Sequence, residues 1–481
     1  MSARLWMLSA VGGVVLMQAQ QSPNALLIRD VTVIHAARSV PVLSHMDVLI
    51  RGNRIAEVLP TGSKFIDSGI LSLDAKGKFL IPGLWDMHTH ALRPERVSTW
   101  FPLFVVNGIV GIRDMGSPLP GREVQALKNG KVTPAPRIYA VGKILGGWIE
   151  EMGIAASTAE EGRHAVAEMH AAGSDFIKVY SLLRREVFLA VTDEARAHQL
   201  SVVGHVPLTI SLADAAAAGL KSFEHGYGLL EACSTREAAL RQRIERAASG
   251  ASTAAAAWGA VVKATDRSYG EQAVVGGYSE TKCIELSARL HSYAIWQCPT
   301  LKVREAFASL NDHDYVEAAP MKYILKSLRR QWAAALNVDD RSRGLDVRDF
   351  ADRRVRLEQE GKMAALLLHN GVPLLAGTDC GNPYIVPGFS LHDELALLVQ
   401  AGLSPLEALA SATSEAARFL GQQDEFGTVE PGRRADLVLL NRDPLADIRN
   451  TRAIDSVILN GRLYDQSDLS RLLDQIEAAA R

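Results

Sequence analysis

Ile81-Pro-Gly-Leu-Trp-Asp-Met-His-Thr-His90 is an apolar run that ends in two histidines one residue apart. On a β-strand, side chains at i and i+2 share a face. His88 and His90 therefore project together, and two neutral imidazoles so placed can chelate one metal ion. Pro82 and Gly83 set an abrupt turn into that strand. As a pair alone, His-x-His reads equally well as two ordinary histidines at a strand end. Its partners along the chain decide between the two.

Upstream, from Ala25 to about Leu80, the pattern is short and alternating, and Gly52-Asn53 sits where a hairpin turn belongs. Downstream, strand-like runs recur at Gly108–Met115, Arg137–Gly142, Asp175–Tyr180, Ser201–Val206, Lys221–Gly226, Ala294–Thr300 and Val372–Asp379. With the His-x-His strand these make eight. Between them, Thr158 to Ala172 and Arg184 to Gln199 read as amphipathic helices. Eight strand–helix units are what an α/β fold of the (β/α)8 TIM-barrel type requires. Ser404-Pro-Leu-Glu-Ala-Leu then reads as an N-capped helix with Pro at its first position. From Gly427 the chain returns to short strands, through Ser456-Val-Ile-Leu-Asn-Gly. Both ends are β, so a small β-sandwich completed by both termini is the economical reading. The expected division is 22–80 and 423–481 for the two parts of the sandwich, the second with a terminal helix, and 81–422 for the barrel. Residues 234–363 are long for two barrel units. They carry a charged run, Arg341 to Arg354, which reads as a solvated helix face or as a cover over the site.

Composition narrows the class. The chain has 481 residues, 48% of them hydrophobic and 22% charged, with a formal net charge of -2. That is a soluble globular balance with no electrostatic footprint for nucleic acid. Cys233, Cys283, Cys298 and Cys380 are widely spaced without a CxxC, which argues against a thiolate zinc site and against a disulfide framework. Residues 1–21 read as a secretory signal peptide: Arg4, an apolar run from Leu5 to Met17, then small or polar residues. Export to the periplasm or medium is the expectation. No lipobox cysteine and no later apolar run points to membrane anchoring. A homo-oligomer stays open.

The partners of His88 and His90 are Lys178 on the fourth strand, His205 on the fifth, His225 on the sixth and Asp379 on the eighth. A barrel enzyme places its working residues at such strand ends. Any one alone is weak, since a lone histidine is more often a satisfied polar residue and Asp379 could cap a helix. Lys178 is harder to dismiss, because a buried ammonium needs a partner or a chemical modification.

Taken together, Pro-Gly-Leu-Trp-Asp-Met-His-Thr-His, Phe-Ile-Lys-Val-Tyr, Gly-His-Val, Phe-Glu-His-Gly and Ala-Gly-Thr-Asp resemble the amidohydrolase superfamily. More narrowly, the set is similar to its imidazolonepropionase-like and prolidase-like members. Ser-Pro-Leu-Glu-Ala-Leu and Gly-Thr-Val-Glu-Pro-Gly-Arg-Arg-Ala-Asp-Leu-Val match too, and the likeness is weakest over 234–363. The resemblance implies two divalent metal ions bridged by Lys178, carboxylated by carbon dioxide to a carbamate. His88, His90 and Asp379 would complete one metal's shell, and His205 and His225 the other's. Zinc is the first expectation, with manganese and cobalt open. A metal-bridged hydroxide would attack the substrate carbonyl, with Asp379 as general acid/base. Deaminases of the superfamily usually hold one metal and carry a Glu soon after the fifth-strand His. Gly204-His-Val-Pro-Leu208 offers none.

The reading is therefore a binuclear hydrolase of a small-molecule amide, in a dipeptide or an N-acyl amino acid. A lactonase or cyclic-amide hydrolase, or an inactive metal-stabilised binding protein of the same fold, are the alternatives. Tyr180, Tyr227 and Arg304 are candidates to receive a substrate carboxylate, and packing on the barrel rim is an equal reading for each. Arg113 and Asp114 are placed to orient the metal histidines from behind. His392 reads as another such supporting residue or as the start of a helix.

Overall fold

The computed structural model describes residues 25–37, 40–63, 70–146, 152–249, 256, 260, 277–338 and 347–481. The expected signal peptide at 1–21 lies outside these residues, as does the first part of the charged run, 341–346.

The two ends of the chain meet in one hydrogen-bonded sheet. Its strands are β1 (Ala25–Val33), β2 (Leu43–Arg51), β3 (Arg54–Pro60), β4 (Leu71–Asp74) and β5 (Phe79–Pro82) from the N-terminal side. From the C-terminal side come the strands over Leu437–Leu440, Ile454–Leu459 and Arg462–Tyr464. The expected turn at Gly52-Asn53 joins the β2–β3 hairpin, which pairs Arg51 with Arg54. β5 pairs antiparallel with Leu437–Leu440 and joins the two halves. Their inward faces share one apolar cluster, in which Leu26, Ile28 and Val48 pack with Leu437, Leu439 and Ile458. The expected sandwich from both termini is thus seen in part, as one hydrogen-bonded sheet of eight strands that both ends of the chain build.

β5 runs straight into β6 (Leu84–Thr89), all six of whose residues are buried. Burial on both faces is the mark of a strand inside a parallel sheet. β6 pairs in parallel with β7 (Ile109–Asp114), and β7 with β8 (Arg137–Ala140). Gly142, at φ +70°, then bends the path. Beyond it β9 (Ile144–Leu145) begins a second parallel sheet, flanked by β10 (Gly153–Ile154). That sheet continues through β11 (Phe176–Val179), β12 (Ser201–Gly204), β13 (Leu220–Glu224) and β14 (Trp296–Cys298). Numbering onward, the three C-terminal strands are β15, β16 and β17.

The sequence reading expects an eighth parallel strand over Val372–Asp379. The structure has isolated bridges there, Gln297 with Leu374 and Thr89 with Cys380. Backbone bonds from Leu375 N to Gln297 O (2.8 Å) and from Asp379 N to His88 O (2.8 Å) tie this segment to both sheets. Pro373, which has no N–H to donate, and the turn at Asp379 (φ +60°) explain why a regular strand does not form. The architecture is α/β of the TIM-barrel type, assigned as two sheets with no closed ring among the described residues.

Helices cover these sheets. The stretch expected at Thr158–Ala172 is a helix over Ala159–Ala171, held by a capping box between Thr158 and Glu161. Ser404 caps the helix Pro405–Ser411 in the same way, with Pro405 in its first turn. Four helices bear on the site: α1 (Pro94–Val106), α2 (Leu301–Ala308), α3 (Val347–His369) and α4 (Phe389–Gln400).

Two expectations for the 234–363 region change. Cys233 and Cys283 form a disulfide, with Cα atoms 4.7 Å apart. Spacing along the chain hides this pairing, because the helix Glu280–Ser292 carries Cys283 back to the end of the short helix Leu229–Ala232. The charged run is also not simply a solvated face. Its described part opens α3, where Arg353 is 8% exposed, and Arg356 and Glu360 beyond it are 7% and 4% exposed.

Candidate active site and metal centre

The site stands where the parallel strands end. His88 is the fifth residue of β6 and His90 follows its last residue, so alternation puts both imidazoles on one side, as their spacing predicts. Lys178 lies in β11, His205 directly after β12, His225 directly after β13, and Asp379 at the end of the 372–379 segment. His225 and Asp379 both take positive φ, +60° each, which turns their side chains in at the strand end.

All six residues converge. The rings of His88 and His225 are 4.6 Å apart, those of His88 and His90 5.6 Å, and those of His205 and His225 4.9 Å. Asp379 Oδ1 lies 3.3 Å from His90 Nε2 and 3.6 Å from His88 Nε2. His88, His90 and Asp379 present their donor atoms within 4.8 Å of one another. Gly204 makes room for the lysine: a Cβ there would meet Lys178 Cδ at 2.8 Å and Val179 O at 2.3 Å.

Each histidine is held by its other nitrogen. His88 Nδ1 donates to Glu224 Oε2 (2.8 Å) and His90 Nδ1 to the Gly116 carbonyl (3.2 Å). Both partners only accept, so Nδ1 carries the proton and Nε2 presents a lone pair. His205 Nδ1 is bonded to Ser181 Oγ (2.8 Å) and His225 Nδ1 to Thr300 Oγ1 (2.7 Å).

Glu224 is the residue that the sequence reading passed over. It is fully buried, accepts both Arg113 Nη2 contacts at 3.0 Å, and takes a 2.6 Å bond from Ser222 Oγ. The signal was present in Phe-Glu-His-Gly, since a carboxylate buried beside a candidate ligand needs a reason. Arg113 thus supports His88 through Glu224 and by donating to the Met87 carbonyl at 2.6 Å. Asp114 accepts from Ala91 N (2.7 Å) and Leu92 N (3.0 Å), fixing the loop beyond His90. His392 takes no part. Inside α4, it bonds Thr451 Oγ1 (2.9 Å) and the Asn107 carbonyl (3.1 Å), and so pins that helix to other parts of the fold.

The electrostatics suit a cation site. Burial raises the Asp379 carboxyl, but His225, His88 and His90 outweigh it and hold the group below the usual carboxylate range. Burial likewise raises Glu224, and Arg113 with His88 and Lys178 reverses the sign. Burial pulls the Lys178 ammonium down to about 8 against the opposing pull of Glu224 and Asp379. Burial, then Lys178, lowers His88 to about 4, so its ring is neutral near pH 7.

A cavity of about 220 Å³ opens over these groups. Tyr180 stacks on His205 at 4.0 Å, and Tyr227 lies 4.5 Å from the same ring. Both line the cavity, as does Arg304. The Arg304 guanidinium sits 5.3 Å over Tyr227, and its Nη2 donates to the His225 carbonyl at 2.6 Å. Its Nε pairs with Glu360 Oε2 at 2.9 Å, and Glu360 Oε1 pairs with Arg356 Nε at 2.8 Å. Arg353 and Arg354 of α3 donate to the Phe307 and Ala308 carbonyls, each at 3.0 Å. These carbonyls end α2, where cations are favoured. The far helix thus braces the element that carries Arg304.

Comparison with known proteins agrees with this geometry. The model of the Amidohydrolase family matches residues 310–464. The imidazolonepropionase of Geobacillus thermodenitrificans is 42% identical over 79 residues, which cover 16% of this chain and 18% of that protein. Adenine deaminase 2 of Rhizobium meliloti is 48% identical over 73 residues, covering 15% and 11%. The chain thus matches less than a fifth of the length of either relative. Solved structures align far more completely. A bottromycin amidohydrolase superposes with a TM-score of 0.70 at 25% identity, over 96% of this chain and 91% of that one. A Xaa-Pro dipeptidase with bound methionine gives 0.63 at 19% identity, over 92% and 100%. The family match and the structural likeness together support an amidohydrolase superfamily member.

Proposed function

We propose that this chain is a metal-dependent hydrolase that cleaves the C–N bond of a small amide, in a dipeptide or an N-acyl amino acid. One observation carries the reading. His88 Nε2, Asp379 Oδ1 and Lys178 Nζ are buried together without a hydrogen-bond partner. Buried polar atoms are normally satisfied, and this set of imidazole, carboxylate and amine fits divalent cations, zinc first among them. His88, His90 and Asp379 would hold one ion, and His205 and His225 a second.

Lys178 would bridge the two as a carbamate. The ammonium would first give up one proton; the free amine nitrogen would then bond to the carbon of carbon dioxide and release a second proton to solvent, so that the buried cation becomes an anion. Burial favours this step, because an ammonium pulled down to about 8 gives up its proton far more readily than an ordinary lysine.

When bound, the ions lower the pKa of water and polarise the carbonyl. Asp379 accepts a proton from the attacking water and delivers it to the leaving nitrogen as the C–N bond breaks. Glu224, held by Arg113, keeps the His88 ring in its tautomer throughout. Arg304 and Tyr227 receive the substrate carboxylate, with Tyr180 beside them, and this cationic wall favours an open-chain acid over a neutral lactone.

In the same reading the two parallel sheets form one eight-membered ring closed through 372–379, and the protein is exported. The apolar N-terminal run and the Cys233–Cys283 disulfide both support an oxidising compartment.

The test is metal content of the full chain, purified without chelator, alongside hydrolysis of a panel of dipeptides and N-acyl amino acids. Two ions per chain with cleavage is the expected result. One ion would remove the bridging role of Lys178. No metal and no turnover after reconstitution would overturn the assignment.

A further inference from the structure

Thr300 departs from the local rules where α2 begins. It is the residue before the helix, a place where threonine normally takes an extended backbone and caps the first N–H groups with its own oxygen. Here its backbone is left-handed, at φ +49° and ψ +53°, and its side chain makes no cap bond. A β-branched residue rarely adopts that conformation, and strain of this kind gathers at functional sites. The capping falls to Glu394, which accepts from Leu301 N (3.1 Å) and Lys302 N (2.7 Å). The Thr300 hydroxyl turns the other way. Fully buried, it bonds the Pro299 carbonyl at 2.7 Å and His225 Nδ1 at 2.7 Å.

A hydroxyl has one proton to give. Its donation to the Pro299 carbonyl, which only accepts, leaves the Thr300 oxygen to accept from the ring. His225 Nδ1 therefore carries the proton, and Nε2 keeps its lone pair. Asp379 Oδ2, at 3.8 Å from Nδ1, is beyond hydrogen-bond reach and does not compete for that proton. The rest of His225 is held by the same stretch of chain. Its N–H donates to the Cys298 carbonyl at 3.0 Å, and its own carbonyl accepts from Arg304 Nη2 at 2.6 Å. His225 is itself at φ +60°, so two left-handed residues meet across one hydrogen bond. Residues 298–304 thus engage its N–H, its carbonyl and Nδ1, leaving Nε2 as the remaining polar atom of a ring that lines the cavity.

We propose that Thr300 is a positioning residue for the reaction. It fixes His225 in the tautomer that offers Nε2 as a lone pair, and its left-handed backbone serves that bond rather than the helix it precedes. The proposal rests on the metal-dependent reading above for what Nε2 meets, whereas the tautomer itself stands apart from that reading. Without the Thr300 oxygen, the neutral ring is free to carry its proton on Nε2 instead, and an N–H there turns a cation away. A purely structural Thr300, bracing the Pro299 carbonyl, predicts a loss of melting temperature alone.

The experiment follows the His225 ring by long-range proton–nitrogen NMR, on the full chain labelled with nitrogen-15 histidine and dialysed against chelator. Loss of one signal set in His225→Gln assigns it. Zinc titration against a competing chelator is the second readout, with the melting temperature as a folding control. Wild type should show the Nδ1–H tautomer alone. Thr300→Val keeps the shape and removes the hydroxyl, so the Nε2–H form should appear and one of the two zinc ions should bind about 10- to 100-fold more weakly. Thr300→Ser keeps the hydroxyl and should return both readouts to wild type. An Nε2–H ring in wild type would overturn the proposal. So would a Val variant that keeps either the wild-type tautomer or the wild-type zinc affinity, or a Ser variant that behaves like Val. Control of the tautomer by the hydroxyl, with no zinc bound by any of the proteins, would uphold the positioning of His225 and overturn the metal reading instead.

Discussion

On the floor of the cleft, six candidate ligands stand on or just past the ends of strand segments, each placed by its own segment and the four histidines also by a partner behind the ring. On the wall, Arg304 owes its position to Glu360 and Arg356, which belong to a helix far along the chain. The floor is therefore set by local geometry, since a strand that ends at a given residue aims the next side chain inward. The wall is set by a buried chain of alternating charge, Arg304, Glu360 and Arg356, which exists only once α2 and α3 have docked. The two regions should fail differently: floor variants should lose metal or proton transfer, and wall variants should lose substrate affinity and stability.

The largest effect is expected at Asp379. On the proposed function, Asp379→Asn removes the proton acceptor and one ligand, and kcat should fall by about 10³-fold or more, since general acid–base catalysis alone is worth roughly 10² to 10⁴. Steady-state kinetics with the melting temperature as a folding control checks this. A variant within tenfold of wild type would take Asp379 out of proton transfer. Lys178→Ala comes next. Bound metal should drop, and activity should fall by about 10²-fold, if Lys178 supplies the proposed bridging anion. Carbon-13 NMR of wild type supplied with labelled bicarbonate should show one carbamate signal that the variant lacks. Full activity with unchanged metal would break the bridge.

These first two residues also mark what the sequence reveals. His88, His90, Lys178, His205, His225 and Asp379 were legible because strand periodicity and short motifs fix them locally. The same holds for the Ser404 cap and the Gly52-Asn53 hairpin. The eighth strand was legible as a segment, but not its irregularity at Pro373 and Asp379. Glu224 was visible in its motif but reads as an ordinary polar residue until Arg113 from another strand meets it. Arg353, Arg356 and Glu360 are hidden further, because a run of charge looks solvated unless the packing of another helix is known. Cys233 and Cys283 share that difficulty.

Glu224→Gln sharpens the comparison from the floor. It removes the carboxylate that orients His88, and metal affinity should weaken by about 10- to 100-fold with the substrate dependence little changed. Titration against a competing chelator measures it. Glu360→Gln does the same from the wall. It leaves Arg304 and Arg356 without their shared anion, which should cost about 3 kcal/mol of stability in urea denaturation. KM for carboxylate-bearing substrates should rise by about tenfold while metal content stays as in wild type. Loss of metal in Glu360→Gln, with KM unchanged, would erase the distinction between floor and wall.

The smallest effect lies at the joint of the two regions. Glu394 of α4 is fully buried and accepts from Leu301 N (3.1 Å) and Lys302 N (2.7 Å) at the start of α2. That helix carries Arg304, and the residue before it, Thr300, bonds His225. Burial outweighs those two bonds and pushes the Glu394 carboxyl up to about 8 from an ordinary 4.5. A carboxyl raised in this way binds its proton more tightly folded than unfolded. Its contribution to stability is therefore greatest below the ordinary value, declines as pH rises, and is fully lost above about 8. Glu394→Gln keeps the shape without the titration. The variant's melting temperature minus that of wild type should therefore climb by a few degrees between about pH 5 and pH 9. Asp86 and Asp114, raised by burial to about 7 and about 6, titrate in both proteins and largely cancel in that difference. A flat difference would mean that Glu394 is already ionised, with the N–H groups of Leu301 and Lys302 overcoming its burial. The joint would then be held by a charge at the helix start, as the wall is held by Glu360.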